Sequence, residues 1–246
     1  MRMKHIQLVL LSICVLVLSG CLYPDQERTE NKVPNETQLK NVQDAVTKYK
    51  NANNGLLPIK TNPEDTPIFR KYTIEFDPLV REGFIDKVPG NAFQNGGFYE
   101  YTIIDPEDNP TVKIVDLRIT ETLRSYLSKI EFYRSKHTYP PFGEEAGGGL
   151  YKVDYKKLNL KESLKVDSPY SDHELPVLMN EKGALFVDYS MDLYEMLEKT
   201  KHSYKEGDDI RFLLTDETPF VPINSVPYTV KDGEPIFLES TKENNK

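Results

Sequence analysis

Apolar residues recur along this chain with two different periods. Leu39, Val42, Ala45, Val46 and Tyr49 share one stripe at helical spacing, with Thr37 placed as an N-cap and Gly55 as the stop. A second helical stripe, Leu123, Tyr126, Leu127, Ile130 and Tyr133, predicts a helix from about Thr120 to Ser135. A shorter helix is predicted over Met191–Thr200, with Tyr194 and Leu197 inward. Between the helices the period falls to two. Tyr72–Leu79 and Tyr151–Leu158 alternate apolar and polar, the pattern of a half-buried strand. Tyr99–Ile104 and Val112–Leu117 read as strands of one hairpin, and Asp232-Gly233 between two β-type runs signals another.

The helices and octets repeat in the same order. Each helix runs into an apolar or aromatic residue before proline, Leu57-Pro58 and Tyr139-Pro140, then an alternating octet. Val88-Pro89-Gly90-Asn91 before Gly97–Tyr101 parallels Leu175-Pro176-Val177-Leu178 before Gly183–Tyr189. The expected fold is therefore α+β: two related helix-plus-small-antiparallel-sheet units, residues 37–118 and 119–200, and a C-terminal β extension and tail, residues 201–246.

The N-terminus has a different pattern. Arg2 and Lys4 precede an apolar run from Ile6 to Leu18, followed by Ser19-Gly20-Cys21. A basic start, a short apolar stretch and small residues define an export signal over residues 1–20. The run is too short for the ~20 residues that span a bilayer, and the polar, proline-containing stretch after Cys21 reads as a tether through residue 36. Leu18-Ser19-Gly20-Cys21 resembles the lipobox of bacterial lipoproteins. The resemblance implies cleavage between Gly20 and Cys21, an S-diacylglycerol thioether on Cys21 and acylation of its amine. It places the protein at the cell membrane, lipid-anchored on the extracytoplasmic face. Two or three acyl chains exceed the marginal binding of one.

Two further resemblances follow. Gly20-Cys21-Leu22-Tyr23-Pro24-Asp25 is similar to the start of a YphF-like family of lipoproteins from spore-forming bacilli, which implies no particular activity. Tyr49, Asn54, Gly55 and Pro58, with Gly83–Pro89 and a Tyr-rich strand, resemble the globular part of type II secretion pseudopilins over about 60 residues. The lipobox stands where a pilin would carry its apolar helix, so this resemblance concerns local fold and not filament formation.

Composition narrows the chemistry. The formal net charge is -8, and -10 once Arg2 and Lys4 leave with the signal, which disfavours nucleic acid as a partner. Of the two cysteines, Cys14 leaves too, so the mature chain has neither a disulfide nor a cysteine nucleophile or ligand beyond Cys21. Asp105, Glu107, Asn109 and Asp116 fall at calcium-loop spacing, but Pro110 occupies the glycine position, and a polar hairpin is the simpler reading. His137, His173 and His202 lack ligand-spaced neighbours. His137 suits a helix C-terminus, and Asp172-His173-Glu174 offers at most a weak metal site. Gly147-Gly148-Gly149 lacks the Lys-Ser/Thr of a phosphate loop, and Glu144-Glu145 and Asp208-Asp209 read as solvated pairs. No catalytic residue, metal or cofactor is assigned.

The expected function is a membrane-anchored, non-catalytic binding or interaction module whose partner is an envelope protein or polymer. The alternative is a cell-envelope hydrolase using a carboxylate pair, which requires two acids converging across a cleft. With 15 Tyr and 11 Phe, a Tyr-built core and some surface tyrosines are expected. Tyr139 and Tyr170 lead as surface candidates, ahead of Tyr99 and Tyr101.

Overall fold

The computed structural model describes residues 35–60 and 62–238. The signal, Gly20, Cys21 and nearly all of the tether lie outside the described residues, as does the polar tail from Glu239. No helix among the described residues is long and apolar enough to cross a membrane.

The chain is α+β. Helix α1 (Asn35–Ala52) begins two residues before Thr37, so the expected N-cap lies inside it and the tether ends before residue 36. Its stripe behaves as the spacing requires: Val42, Ala45 and Val46 are buried against Tyr101, Ile103, Val112 and Ile114 of a hairpin. That hairpin pairs β1 (Tyr99–Ile104) with β2 (Thr111–Asp116) in antiparallel register, Tyr99 opposite Asp116 and Ile104 opposite Thr111. Between helix and hairpin lies the first octet, and here the strand reading is corrected. Only Thr73 and Ile74 make β-bridges; Phe76–Arg81 is helix α2. Pro78 cannot donate to a ladder but fits the first turn of a helix, where its missing N–H is not needed. The i, i+3 pair Phe76 and Leu79 then buries itself in the core.

Asp116 ends β2 and caps the next helix, its carboxylate accepting from the Arg118 N–H at 3.0 Å. Helix α3 thus spans Leu117–Arg134, three residues earlier than its apolar stripe predicts. It packs on a five-stranded antiparallel sheet of β3 (Phe142–Gly147), β4 (Leu150–Val153), β5 (Lys165–Asp167), β6 (Glu174–Asn180) and β7 (Leu185–Val187). The spatial order is β3-β4-β6-β5, with β7 also on β6. The Tyr126 hydroxyl donates to the Lys165 carbonyl at 2.9 Å, fixing the helix over β5. Helix α4 (Ser190–Lys199) buries Leu193 and Leu197, whereas Tyr194, expected inward, is 42% exposed.

The C-terminal segment adds a helix to the β extension expected. Arg211–Glu217 forms helix α5. Ile210, Leu213 and Leu214 are buried at helical spacing, and Asp209 accepts from the Arg211 N–H and pairs with its guanidinium. Residues 219–221 then lie along β2, with the Ile114 N–H donating to the Pro219 carbonyl and the Val221 N–H to the Ile114 carbonyl. The hairpin signalled by Asp232-Gly233 is present as β8 (Tyr228–Lys231) and β9 (Glu234–Phe237).

Tyrosine helps build both cores. Tyr101, Tyr189 and Tyr228 are fully buried, and each hydroxyl is satisfied: by Asn91 at 2.7 Å, by the Ile223 carbonyl at 3.0 Å and by Asp188 at 2.8 Å.

Candidate functional site

The richest polar cluster gathers on the loop between β5 and β6 and on the exposed edge of α4. Asp192, in the first turn of α4, is 2% exposed. Its two oxygens accept hydrogen bonds from Ser168 at 2.7 Å and Ser171 at 2.6 Å. The serine oxygens in turn accept backbone N–H groups: Ser168 Oγ from Tyr170 and Ser171, Ser171 Oγ from His173. Serine-laced turns of this kind replace the ladder bonds that a loop lacks. The sequence thus folds Ser168–His173 into a tight loop and hangs it from one buried carboxylate.

His173 closes the loop. Its Nε2 lies 3.1 Å from Glu195 Oε1 and its Nδ1 3.4 Å from Asp192 Oδ1. The second approach is too poorly aligned for a hydrogen bond. Asp192 and Glu195 are an i, i+3 pair on α4, so one helix face presents both carboxylates to one imidazole. Glu195 also accepts from Lys199 at 2.5 Å, and that bond holds its carboxyl below the usual glutamate range.

In front of the cluster is a cleft of about 430 Å³ between the start of α3 and the loop, lined by Asp116, Arg118, Thr122, Asp167, Asp172 and His173 among others. Arg118 is committed to Asp116, its Nε 2.9 Å from Oδ1. Behind the loop, Tyr170 packs edge-on against Tyr189 and Phe220 with its hydroxyl buried and unpaired. Burial raises its pKa well above the tyrosine norm. The expectation of a surface Tyr170 is therefore corrected: its loop is pulled onto the core by Asp192, leaving the ring half-buried and its hydroxyl inside. Tyr139 is 58% exposed, as expected, and Tyr101 lines the core.

Chemically, the cluster lacks the relay of a serine hydrolase. There, serine faces the imidazole and the acid stands behind it; here both serines donate to the acid. Nor do Asp192 and Glu195 face each other across open space, because the imidazole fills the gap. Among the described residues, no three His, Cys, Asp or Glu are placed to hold a metal ion.

The other candidates separate. Asp105 and Asp116 stand at opposite ends of the β1–β2 hairpin, roughly 20 Å apart at ~3.3 Å per residue. Asp105 accepts from the Asn109 N–H within its own turn. His137 stacks on Tyr133 at 3.9 Å and its Nδ1 donates to the Tyr133 carbonyl, the helix-terminus role its position implied. Gly147-Gly148-Gly149 makes the β3–β4 turn at positive φ. Glu144 pairs with Lys152. Asp209 is the exception to the solvated reading of Asp208-Asp209, since it pairs with the largely buried Arg211. Asp192 was missed in the sequence because it sits among the polar residues of an amphipathic helix, with nothing nearby to mark it as buried.

Residues 35–116, about a third of the chain, match the model of the YphF family N-terminal domain. The match supports a YphF-like family, and it ends at the residue where β2 hands over to α3. No curated protein and no solved structure matches the chain.

Proposed function

We propose that this chain is a lipid-anchored, non-catalytic binding module held on the extracytoplasmic face of a membrane through Cys21. The lipobox Leu18-Ser19-Gly20-Cys21 supports the anchor. The observation that favours binding over catalysis is the engagement of the polar cluster. Ser168 and Ser171 both donate to Asp192, and His173 is held between Asp192 and Glu195. A nucleophilic serine of the triad type faces an imidazole that takes its proton, and here both hydroxyls point to Asp192 while His173 Nε2 faces Glu195. The alternative, a hydrolase with a carboxylate pair, needs one acid with a raised pKa to protonate a leaving group. Glu195 is shifted the other way, and Asp192 is closed to substrate.

The two-unit organisation, residues 37–118 and 119–200, is part of the same proposal. Its support is the matched behaviour of the octets: Tyr72–Leu79 passes from β-bridges into α2, and Tyr151–Leu158 passes from β4 into a turn.

Metabolic labelling with a fatty-acid analogue tests the anchor. Wild-type protein is expected to carry label and Cys21→Ala none; equal label in the two would refute it.

A further inference from the structure

Helix α3 carries a second stripe that its core does not use. Ser125, Ser128, Lys129, Phe132 and Tyr133 follow at helical spacing beside the buried Leu123–Ile130 stripe, and Lys136 continues the line in the turn after the helix. They form one wall of a groove of about 690 Å³ whose other wall is the turn Lys157–Leu160. We propose that this groove binds an acidic glycan chain.

Charge is the first reason. The chain carries 39 acidic residues against 31 basic, yet the groove is lined by three lysines and a histidine and by no acid. Lys129 makes no hydrogen bond or ion pair among the described residues, Lys136 rests its ammonium 4.1 Å from the ring centre of Phe132, and Lys157 is shared with Asp154. A cationic concavity on an acidic protein concentrates anions there and repels them elsewhere.

Shape and lining choose among anions. A concave channel beside a helix accepts a chain and not a flat bilayer. A docked peptide helix would need a row of apolar pockets at i, i+3, i+4 and i+7, and an added strand would need a free sheet edge. This groove offers instead one strongly exposed aromatic, Phe132, 64% exposed, while Tyr133 is stacked on His137 and Leu158 and Leu160 pack against the core; around it stand the hydroxyls of Ser125 and Ser128 and the amide of Asn159. A sugar ring meets that combination: its C–H face lies on the phenyl ring, its hydroxyls pair with the polar groups, and its carboxylates or phosphates reach the lysines. Asn159 sits at φ +57°, a turn conformation that asparagine tolerates well.

The inference rests on the binding half of the function proposed above and is independent of the anchor. Affinity electrophoresis of the full chain in detergent micelles tests it, with polygalacturonate, neutral dextran and polyglutamate as probes. Retardation by polygalacturonate alone is expected. Phe132→Ala, which leaves the charge unchanged, is expected to weaken it at least about tenfold, as for an anchor residue, and Lys129→Gln with Lys136→Gln to abolish it. Unchanged melting curves for these surface variants exclude misfolding. No retardation by polygalacturonate, equal retardation by polyglutamate, or an unaffected Phe132→Ala would each overturn the proposal. Such a failure would leave lipid labelling at Cys21 untouched.

Discussion

Lys113 donates from β2 to the carbonyl of Thr218, 2.9 Å away and more than a hundred residues later in the chain. The same ammonium also reaches the Thr215 carbonyl. Thr215 lies within α5 and Thr218 follows it, so a buried lysine of the N-terminal unit satisfies carbonyls that the last turn leaves without donors. Residues 219–221 then run beside β2 and bring Phe220 into contact with the first core. The segment matching the YphF N-terminal domain is thus completed by a strap from the far end of the chain.

Replacing Lys113 by Met tests that strap. Two buried carbonyls would lose their donor, a cost of about 1–3 kcal/mol. Burial pushes the Lys113 pKa down, so Met also removes a desolvation penalty, and the lower end of that range is expected. Chemical denaturation measures it. Unchanged stability would mean that the strap is held by Ile114 and Phe220 alone.

A second expectation concerns close packing at Gly97. A Cβ there would fall 2.1 Å from the Asn91 carbonyl oxygen, a backbone contact with no flexible side chain to give way. Asn91 also accepts the Tyr101 hydroxyl, so the shift would propagate into the core. Gly97→Ala is expected to cost at least about 1–3 kcal/mol, read by thermal unfolding. A neutral result would show that the turn before β1 relaxes freely.

Much of this architecture is legible in the sequence, and the failures share a physical cause. The stripes of α1 and α3 and both hairpins follow from periodicity, because each buries one face against one partner. Phe76–Leu79 and Ile210–Leu214 fail because a short apolar run carries too few residues to separate a period of two from 3.6. Tyr170 and Asp192 fail together: one is drawn inward by the loop that the other holds, and no local pattern records hydrogen bonds across 21 and 24 positions. The groove on α3 left no mark in the apolar stripe, because its second wall comes from the turn after β4.

Alkaline titration gives a pH test. Burial raises the pKa of Tyr101, Tyr170, Tyr189 and Tyr228 well above 10, and that of Tyr204 to about 12. A tyrosine whose pKa is higher folded than unfolded stabilises the protein below pH ~10. That contribution is lost as pH rises from ~10 through the folded-state value. Phenolate absorbance is expected to show a late group appearing only with unfolding. Tyr101, Tyr170, Tyr189 and Tyr228 belong to the late group. A single smooth titration of all tyrosines in the folded protein would contradict their burial.

Glu195 supplies the opposite sign at acid pH. Its depressed pKa means that its contribution is present above about pH 4.5, the ordinary glutamate value, and is lost as pH falls through the lower folded-state value. Glu195→Gln is expected to flatten the fall of melting temperature below pH 4.5. An identical acid profile would mean that Lys199 and His173 do not hold this carboxylate in solution.

The central claim is that the cluster on α4 holds a loop and performs no reaction, and thermal unfolding of Asp192→Ala tests it most directly. The substitution strands the hydroxyls of Ser168 and Ser171 and frees the loop carrying Tyr170 from its buried post. A loss of about 2–4 kcal/mol is expected from two unsatisfied donors, a fall in melting temperature of roughly 5–15 °C for a chain of this size. A catalytic carboxylate behaves differently, because sites built for reaction are strained and their removal leaves stability unchanged or higher. A melting temperature equal to or above wild type would contradict the claim and return the pair Asp192 and Glu195 to consideration as reacting groups.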